Sequence, residues 1–257
     1  LSSAASDVYK RQDLTGKAYD DPMWDQLLDQ MSFEDMSLLV NLGGWQTAQI
    51  DSVGKVATSD CDGPAGVNNF ITGTYGTPYP TEVLMAQTWN TDLLYDLGLA
   101  MGQEYADVNN YGVYGPAMNT HRSAFAGRNF EYYSEDGVLA GKLAAAQVNA
   151  MATKGTYNYI KHFALNDQET NRCAFLLTYS NEQAIREIYL KPFELCIKNF
   201  DGTQIAVMSS FNWIGTVPAC ANEDTLTTIL RNEWGFQGMV ITDYCLLYTS
   251  DAADDKA

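Results

Sequence analysis

The stretch DGVLAGKLAAAQVNAMATKGTYNYIKHFALNDQETNR, residues Asp136 to Arg172, decides the fold class. Asp136 to Lys154 has the apolar spacing of a helix, and Tyr157 to Phe163 is a short β-rich apolar run. A dense polar set, Lys161-His162-Phe163-Ala164-Leu165-Asn166-Asp167-Gln168-Glu169-Thr170-Asn171-Arg172, closes the run. Burying a lysine beside a histidine is costly unless a ligand or a carboxylate satisfies them. The pair therefore points to a pocket for a polar ligand, with a solvated loop as the plain alternative.

The same order recurs on either side. Helices are expected over Met23 to Met31, Ser32 to Leu42, Thr91 to Val108, Asn181 to Asn199 and Asn222 to Trp234. Strands are expected over Val53 to Thr58, Val113 to Met118, Ile205 to Phe211 and Met239 to Thr242, each followed by polar residues. This alternation predicts an α/β fold of parallel strands joined by crossover helices. In an α/β barrel, catalytic groups project from the C-terminal ends of several strands, so the polar clusters should converge on one mouth. Ser32 with Asp35, and Asn222, are suited to cap helices. Gly141, inside a helical pattern, is expected to mark close packing on a strand.

Three further clusters carry chemistry. His121-Arg122 through Gly127-Arg128-Asn129-Phe130-Glu131-Tyr132-Tyr133-Ser134-Glu135-Asp136 mixes cations, carboxylates and aromatics. Sugars suit that mixture, because hydroxyls pair with charged groups and aromatic rings cover the apolar faces of a pyranose. An Arg–Glu network bracing a long loop is the alternative. Ser59-Asp60-Cys61-Asp62-Gly63-Pro64-Ala65-Gly66 sets Asp62 in a tight turn that backbone preferences alone could explain. Trp234-Gly235-Phe236-Gln237-Gly238-Met239-Val240-Ile241-Thr242-Asp243-Tyr244 ends a strand on a lone carboxylate, where a barrel nucleophile belongs.

Composition narrows the class. The 257 residues suffice for one α/β barrel or two smaller domains. A formal net charge of −17 opposes binding to nucleic acid, which requires clustered cations. No apolar run reaches the roughly 18 residues of a membrane span, so no membrane partner is expected. Cys61, Cys173, Cys196, Cys220 and Cys245 form neither a C-x-x-C pair nor an even framework. They read as reduced thiols, Cys196 as a small hydrophobe in a helix. With no signal-peptide pattern at the start, they favour a cytoplasmic compartment. The two histidines, His121 and His162, form no metal-ligand spacing, and neither metal nor other cofactor is expected. No Gly-rich loop precedes a helix, which disfavours a phosphate-binding barrel.

Taken together, the four clusters resemble glycoside hydrolase family 3, β-glucosidase-type members, over roughly Leu14 to Tyr244. The resemblance implies a (β/α)8 TIM-type barrel, incomplete at its C-terminal end, acting on a β-glucoside or oligosaccharide. It assigns Asp243 as nucleophile and Asp62 to the outer hydroxyls of the nonreducing sugar. Arg128, Lys161 and His162 would hold the ring hydroxyls, and Met208, Phe211 and Tyr244 would line the same pocket. Phe163 to Glu169 departs from the His-containing loop of the N-acetylglucosaminide-cleaving branch. Family members usually have tyrosine where this chain has Phe211 in Ser209-Ser210-Phe211-Asn212, so one hydrogen bond to Asp243 is expected to be missing.

The family's general acid/base is generally a Glu from a domain that follows the barrel. Such help is worth about 100- to 10,000-fold, so the chain alone is expected to hydrolyse poorly. Residues 1–12 and 246–257 do not continue the flanking patterns. They read as a non-native leader and tail around a barrel domain at 13–245. Two rival expectations stand beside the β-glucosidase: a non-catalytic sugar-binding barrel, and a β-xylosidase or arabinosidase of the same family.

Overall fold

Asp136 caps a helix and Tyr157 opens a strand in the computed structural model, which describes residues 9–18, 20–42, 44–202 and 204–243. The chain divides into two compact units, Leu1–Asp60 and Cys61–Ala257.

The first unit holds helices α1 (Met23–Leu28) and α2 (Phe33–Asn41). Strand β1 (Gln46–Thr47) pairs antiparallel with Thr58 and Ser59 at the start of β2 (Thr58–Asp62). Ser32 caps α2 reciprocally: its Oγ accepts from the Asp35 N–H at 3.0 Å, and its N–H donates to Asp35 Oδ2 at 3.0 Å. Leu14, Leu27, Met31, Ala48, Ile50 and Val53 form the unit's core.

The strand expected over Val53 to Thr58 is not there. Asp51–Val53 make one 3-10 turn, Gly54 takes φ of 66°, and Ile50 pairs back onto Lys55. The chain reverses on that left-handed glycine, and the extended run starts only at Thr58. Of residues 1–12, Tyr9 packs against the core and Lys10 Nζ donates to the Asp51 and Ser52 carbonyls, each at 3.1 Å. Residues 1–8 and 246–257 lie outside the described residues.

The second unit begins with a small hairpin, β3 (Asn68–Asn69) and β4 (Thr74–Tyr75), then α3 (Glu82–Ala86) and α4 (Thr91–Asp107). The repeating part follows: β5 (Gly112–Tyr114), α5 (Gly137–Ala152) and β6 (Tyr157–Phe163). Strand β7 (Leu177–Thr178), the short α6 (Glu182–Ala184) and α7 (Lys191–Lys198) lead to β8 (Ile205–Ser209). Strands β9 (Trp213–Ile214) and β10 (Val217–Pro218), then a wide helical segment at Asp224–Glu233, lead to β11 (Val240–Ile241).

Strands β5, β6, β8 and β11 are successive parallel neighbours, as the α/β reading requires. Leu143, Val148, Ile160, Val207 and Leu230 are buried between the strands and their helices. Phe163 meets Phe193 and Trp234 edge to face at 5.2 and 6.0 Å between centroids. Strands β7, β9 and β10 form a separate small sheet.

Two details correct the sequence reading. The helix expected over Asn181 to Asn199 breaks into α6, wide turns at Ile185–Tyr189, and α7. Pro192 causes this, since it has no N–H and its ring would strike the carbonyl four residues back, so it sits in the first turn of a new helix. Gly141 does mark a close approach, but to α7 and not to a strand. A β-carbon there would lie 2.7 Å from Leu195 Cβ and 2.8 Å from the Pro192 carbonyl oxygen.

Alanine at 141 would gain about 1 kcal/mol of helix propensity yet force α5 and α7 apart, at about 1–3 kcal/mol. Gly141→Ala is therefore expected to lower the urea midpoint, and a raised midpoint would show that the helices separate at no cost.

Candidate active site

Each described candidate belongs to the second unit, and several converge on one carboxylate. Asp243 lies two residues beyond β11, its side chain 16% exposed. Its Oδ2 is 3.6 Å from Arg172 Nη1 and 3.8 Å from His162 Nε2, and accepts no hydrogen bond from a described residue. Burial raises the Asp243 pKa above the ordinary aspartate value, and the nearby charges of Lys161, Arg172 and Arg128 oppose that rise.

Lys161 and His162 are adjacent on β6, and both are buried. Side chains on a regular strand alternate between faces. Here the pairing of β6 with β8 slips between Ile160 and Phe163. Such an irregularity re-aims side chains, and it lets both neighbours serve one site. Lys161 Nζ donates to Asp62 Oδ1 at 2.8 Å, across 99 residues of sequence. Asp62 Oδ1 also accepts from the Gly63 N–H at 3.0 Å.

The His162 backbone is clamped by Asn119, whose Oδ1 accepts from the His162 N–H at 2.7 Å and whose Nδ2 donates to the His162 carbonyl at 2.8 Å. The ring is fixed too. Arg128 Nη2 lies 3.0 Å from His162 Nε2, and a guanidinium can only donate, so Nε2 accepts and the proton is on Nδ1. Nδ1–H then points to the Tyr132 hydroxyl at 3.4 Å, which also accepts from Asn166 Nδ2 at 3.0 Å. Burial first, then Arg128, Lys161 and Arg172, hold the His162 pKa well below its ordinary value. The imidazole is neutral.

Arg128 lies in the loop before the 3-10 turn Asn129–Glu131 and pairs with Glu131 and, at 3.9 Å, with Glu169. Arg172 Nε donates to Glu169 Oε2 at 3.0 Å, and its guanidinium carbon sits 4.6 Å over the Phe211 ring centre. Phe211 therefore reaches Asp243 through Arg172. Met208 is buried in β8 opposite Ile241, and Tyr244 lies outside the described residues. Arg172, Glu131, Glu169 and Tyr132 fall inside the polar clusters of the sequence without an individual role there, and Asn119 lies outside them. Arg172 ends the polar run after β6, and that position was its only signal.

Two acids lie off this cluster. Glu82 is fully buried on α3, and burial holds its pKa well above the ordinary value. Asp167 is pushed up to about 7 by burial, opposed by Arg122. No cluster of metal-ligating residues occurs among the described residues, and no described helix is long and apolar enough to cross a membrane.

The sequence model of the glycosyl hydrolase family 3 N terminal domain matches residues 46–254. The chain belongs to glycosyl hydrolase family 3. The family's N-terminal domain is a (β/α)8 TIM-type barrel, and the parallel β–α succession here is part of that fold. The chain is 40% identical over 228 residues to beta-glucosidase A of Butyrivibrio fibrisolvens, covering 86% of this chain and 27% of that protein. Beta-glucosidase 3B of Thermotoga neapolitana, solved with glucose, is 37% identical with a TM-score of 0.76, over 85% of this chain and 33% of that one. A beta-glucosidase of Paenibacillus barengoltzii is 35% identical with a TM-score of 0.80, over 91% and 26%. The chain thus spans about a quarter of the length of the curated family 3 relatives it matches.

The raised acids give two tests. Carbon-13 titration of the Asp243 carboxyl should place its pKa above the ordinary aspartate value, and Arg172→Leu should raise it further by removing an opposing charge. An unchanged titration in that variant would disconnect Arg172 from Asp243.

Asp167 favours the fold in its neutral form. That stability is complete below the unfolded pKa of about 4 and is lost as the pH rises through about 7. Over the whole window it amounts to roughly 2–4 kcal/mol. Asp167→Asn should unfold at higher temperature than the parent at pH 8 and near the parent temperature at pH 4. Parallel curves at both pH values would contradict this.

Proposed function

We propose that this chain is the nucleophile-bearing part of a retaining β-glucosidase acting on terminal nonreducing β-D-glucosyl residues. The observation that carries the proposal is Asp243, a desolvated carboxylate at a strand end, faced by Arg172 and His162 in a chain whose relatives are named β-glucosidases.

In this reading Asp243 attacks the anomeric carbon, the bond to the leaving oxygen breaks, and a covalent glycosyl ester forms with inversion. Water then displaces Asp243 with a second inversion, so the β configuration is retained. Burial strips Asp243 of solvating water, and the cations around it keep the carboxylate accessible in spite of that. Asp62, held by Lys161, would accept from the outer hydroxyls of the sugar. Arg128 would donate to a ring hydroxyl, braced by Glu131 on one side and His162 on the other.

Departure of the sugar's partner also needs a proton. Glu131 and Glu169 are both engaged with arginines. We assign the acid to a Glu outside the barrel, which makes an activated leaving group the right probe for this chain.

Incubation with 2,4-dinitrophenyl 2-deoxy-2-fluoro-β-D-glucoside should add one fluoroglucosyl unit per chain, mapped to Asp243 by peptide sequencing, and Asp243→Asn should take up none. An adduct on another carboxylate would reassign the nucleophile. Absence of an adduct on the folded parent chain would overturn the proposal.

A further inference from the structure

Asp62 is presented on a turn whose shape is imposed from below by a residue of α4. Gly63 and Gly66 take φ of 143° and 125°, conformations that side chains rarely adopt. The turn is so tight that a β-carbon on Gly63 would lie 1.8 Å from the Gly66 carbonyl oxygen and 2.1 Å from the Tyr105 hydroxyl. That hydroxyl is the common point of the turn. It lies 2.9 Å from the Gly63 carbonyl oxygen, 3.1 Å from that of Gly66 and 3.3 Å from that of Asp62 itself.

Tyr105 is fully buried, so no solvent can replace its O–H at these carbonyls. Burial, reinforced by Cys61 and Asp62, holds the phenol pKa well above its ordinary value, and it remains a donor at any working pH. Above the turn, the Lys161 ammonium and the Gly63 N–H both bind Asp62 Oδ1. With Oδ1 occupied and the side chain 42% exposed, Oδ2 is the oxygen left to a ligand.

We propose that Tyr105 is a positioning residue for sugar binding: by donating its one O–H where the Gly63, Gly66 and Asp62 carbonyls converge, nearest to that of Gly63, it fixes the turn and the direction in which Asp62 offers its second carboxylate oxygen. The inference rests on the reading of Asp62 as a sugar ligand. Tyr105 itself touches no substrate.

Inactivation by the dinitrophenyl fluoroglucoside separates binding, read as KI, from chemistry, read as the limiting rate. Asp62→Asn should raise KI at least tenfold. Tyr105→Phe, which removes only the hydroxyl, should raise KI by about two- to tenfold, the worth of one buried hydrogen bond, with the limiting rate within twofold. Tyr133→Phe is the control for plain structural loss. It deletes another buried hydroxyl, 2.6 Å from Gln147 Oε1, and should lower the melting temperature without changing KI.

Asp62→Glu tests rigidity at an exposed position. A held turn cannot absorb the extra methylene, so KI should rise as much as in Asp62→Asn. An unchanged KI in folded Tyr105→Phe, or a parental KI in Asp62→Glu, would overturn the positioning role. A parental KI in Asp62→Asn would instead remove the sugar-ligand reading of Asp62, and failure of the parent chain to react would remove both.

Discussion

Desolvation of the Asp243 carboxylate is the constraint on which the rest of the site depends. Two unit charges about 3.6 Å apart interact by on the order of 4–5 kcal/mol at an effective dielectric of about 20, so one cation offsets much of the cost of burying one carboxylate. Arg172 stands at that distance, and Lys161 and Arg128 act on Asp243 in the same direction. The balance still leaves the Asp243 pKa raised, so burial outweighs the cations. Each cation must in turn be held in place. Lys161 is fixed by Asp62, Arg128 by Glu131, and Arg172 by Glu169 and the Phe211 ring. In a chain with 32 acidic and 15 basic residues, three of the fifteen are gathered at this carboxylate.

The same arrangement settles the state of His162. Burial first, and then Arg128, Lys161 and Arg172, disfavour a second proton on the ring. It acts as an acceptor toward Arg128 and a donor toward Tyr132, and the hydrogen-bond order runs one way from Arg128 through the imidazole to the phenol. A protonated ring would repel Arg128 and break that order. The imidazole thus accepts from the Arg128 guanidinium.

Much of this was legible in the sequence where one local pattern dominated. β6 runs over Tyr157–Phe163 as its β-rich composition predicts, and α4 and α5 fall within two residues of their expected ends. Failures occurred where a single residue overrode the pattern around it. Gly54 turned an expected strand into a reversal, and Pro192 cut an expected helix in three. At Gly141 the helical pattern shows that a close approach exists without showing what approaches, and the neighbour is α7 and not a strand. At the site, the strand-end residues Lys161, His162 and Asp243 stood out because a charged group after an apolar run is conspicuous. Arg172, Glu169 and Glu131 belong to the polar clusters but lie in irregular segments where charge is ordinary, so their individual roles were not legible and only the fold brings them together.

Phe211 shows how one of these unseen contacts changes the meaning of a residue that sequence did single out. Read from the family pattern alone, phenylalanine in place of tyrosine is a lost hydroxyl near Asp243. In the folded chain the ring carries the Arg172 guanidinium on its face, an interaction worth about 0.5–2 kcal/mol, and that guanidinium is the cation nearest Asp243. A hydroxyl would favour the carboxylate by direct donation. The ring favours it at one remove, by holding a full positive charge in place. The second device is less directional but acts over a longer distance, and it makes the ionisation of Asp243 depend on the turn from Glu169 to Arg172. Glu169 binds both Arg172 and Arg128 across that turn, so the two cations that flank His162 are coupled through one carboxylate. A change at Glu169 would accordingly reach Asp243 and the Arg128–His162 pair together, although Glu169 contacts neither Asp243 nor His162 through any hydrogen bond or ion pair described in the fold.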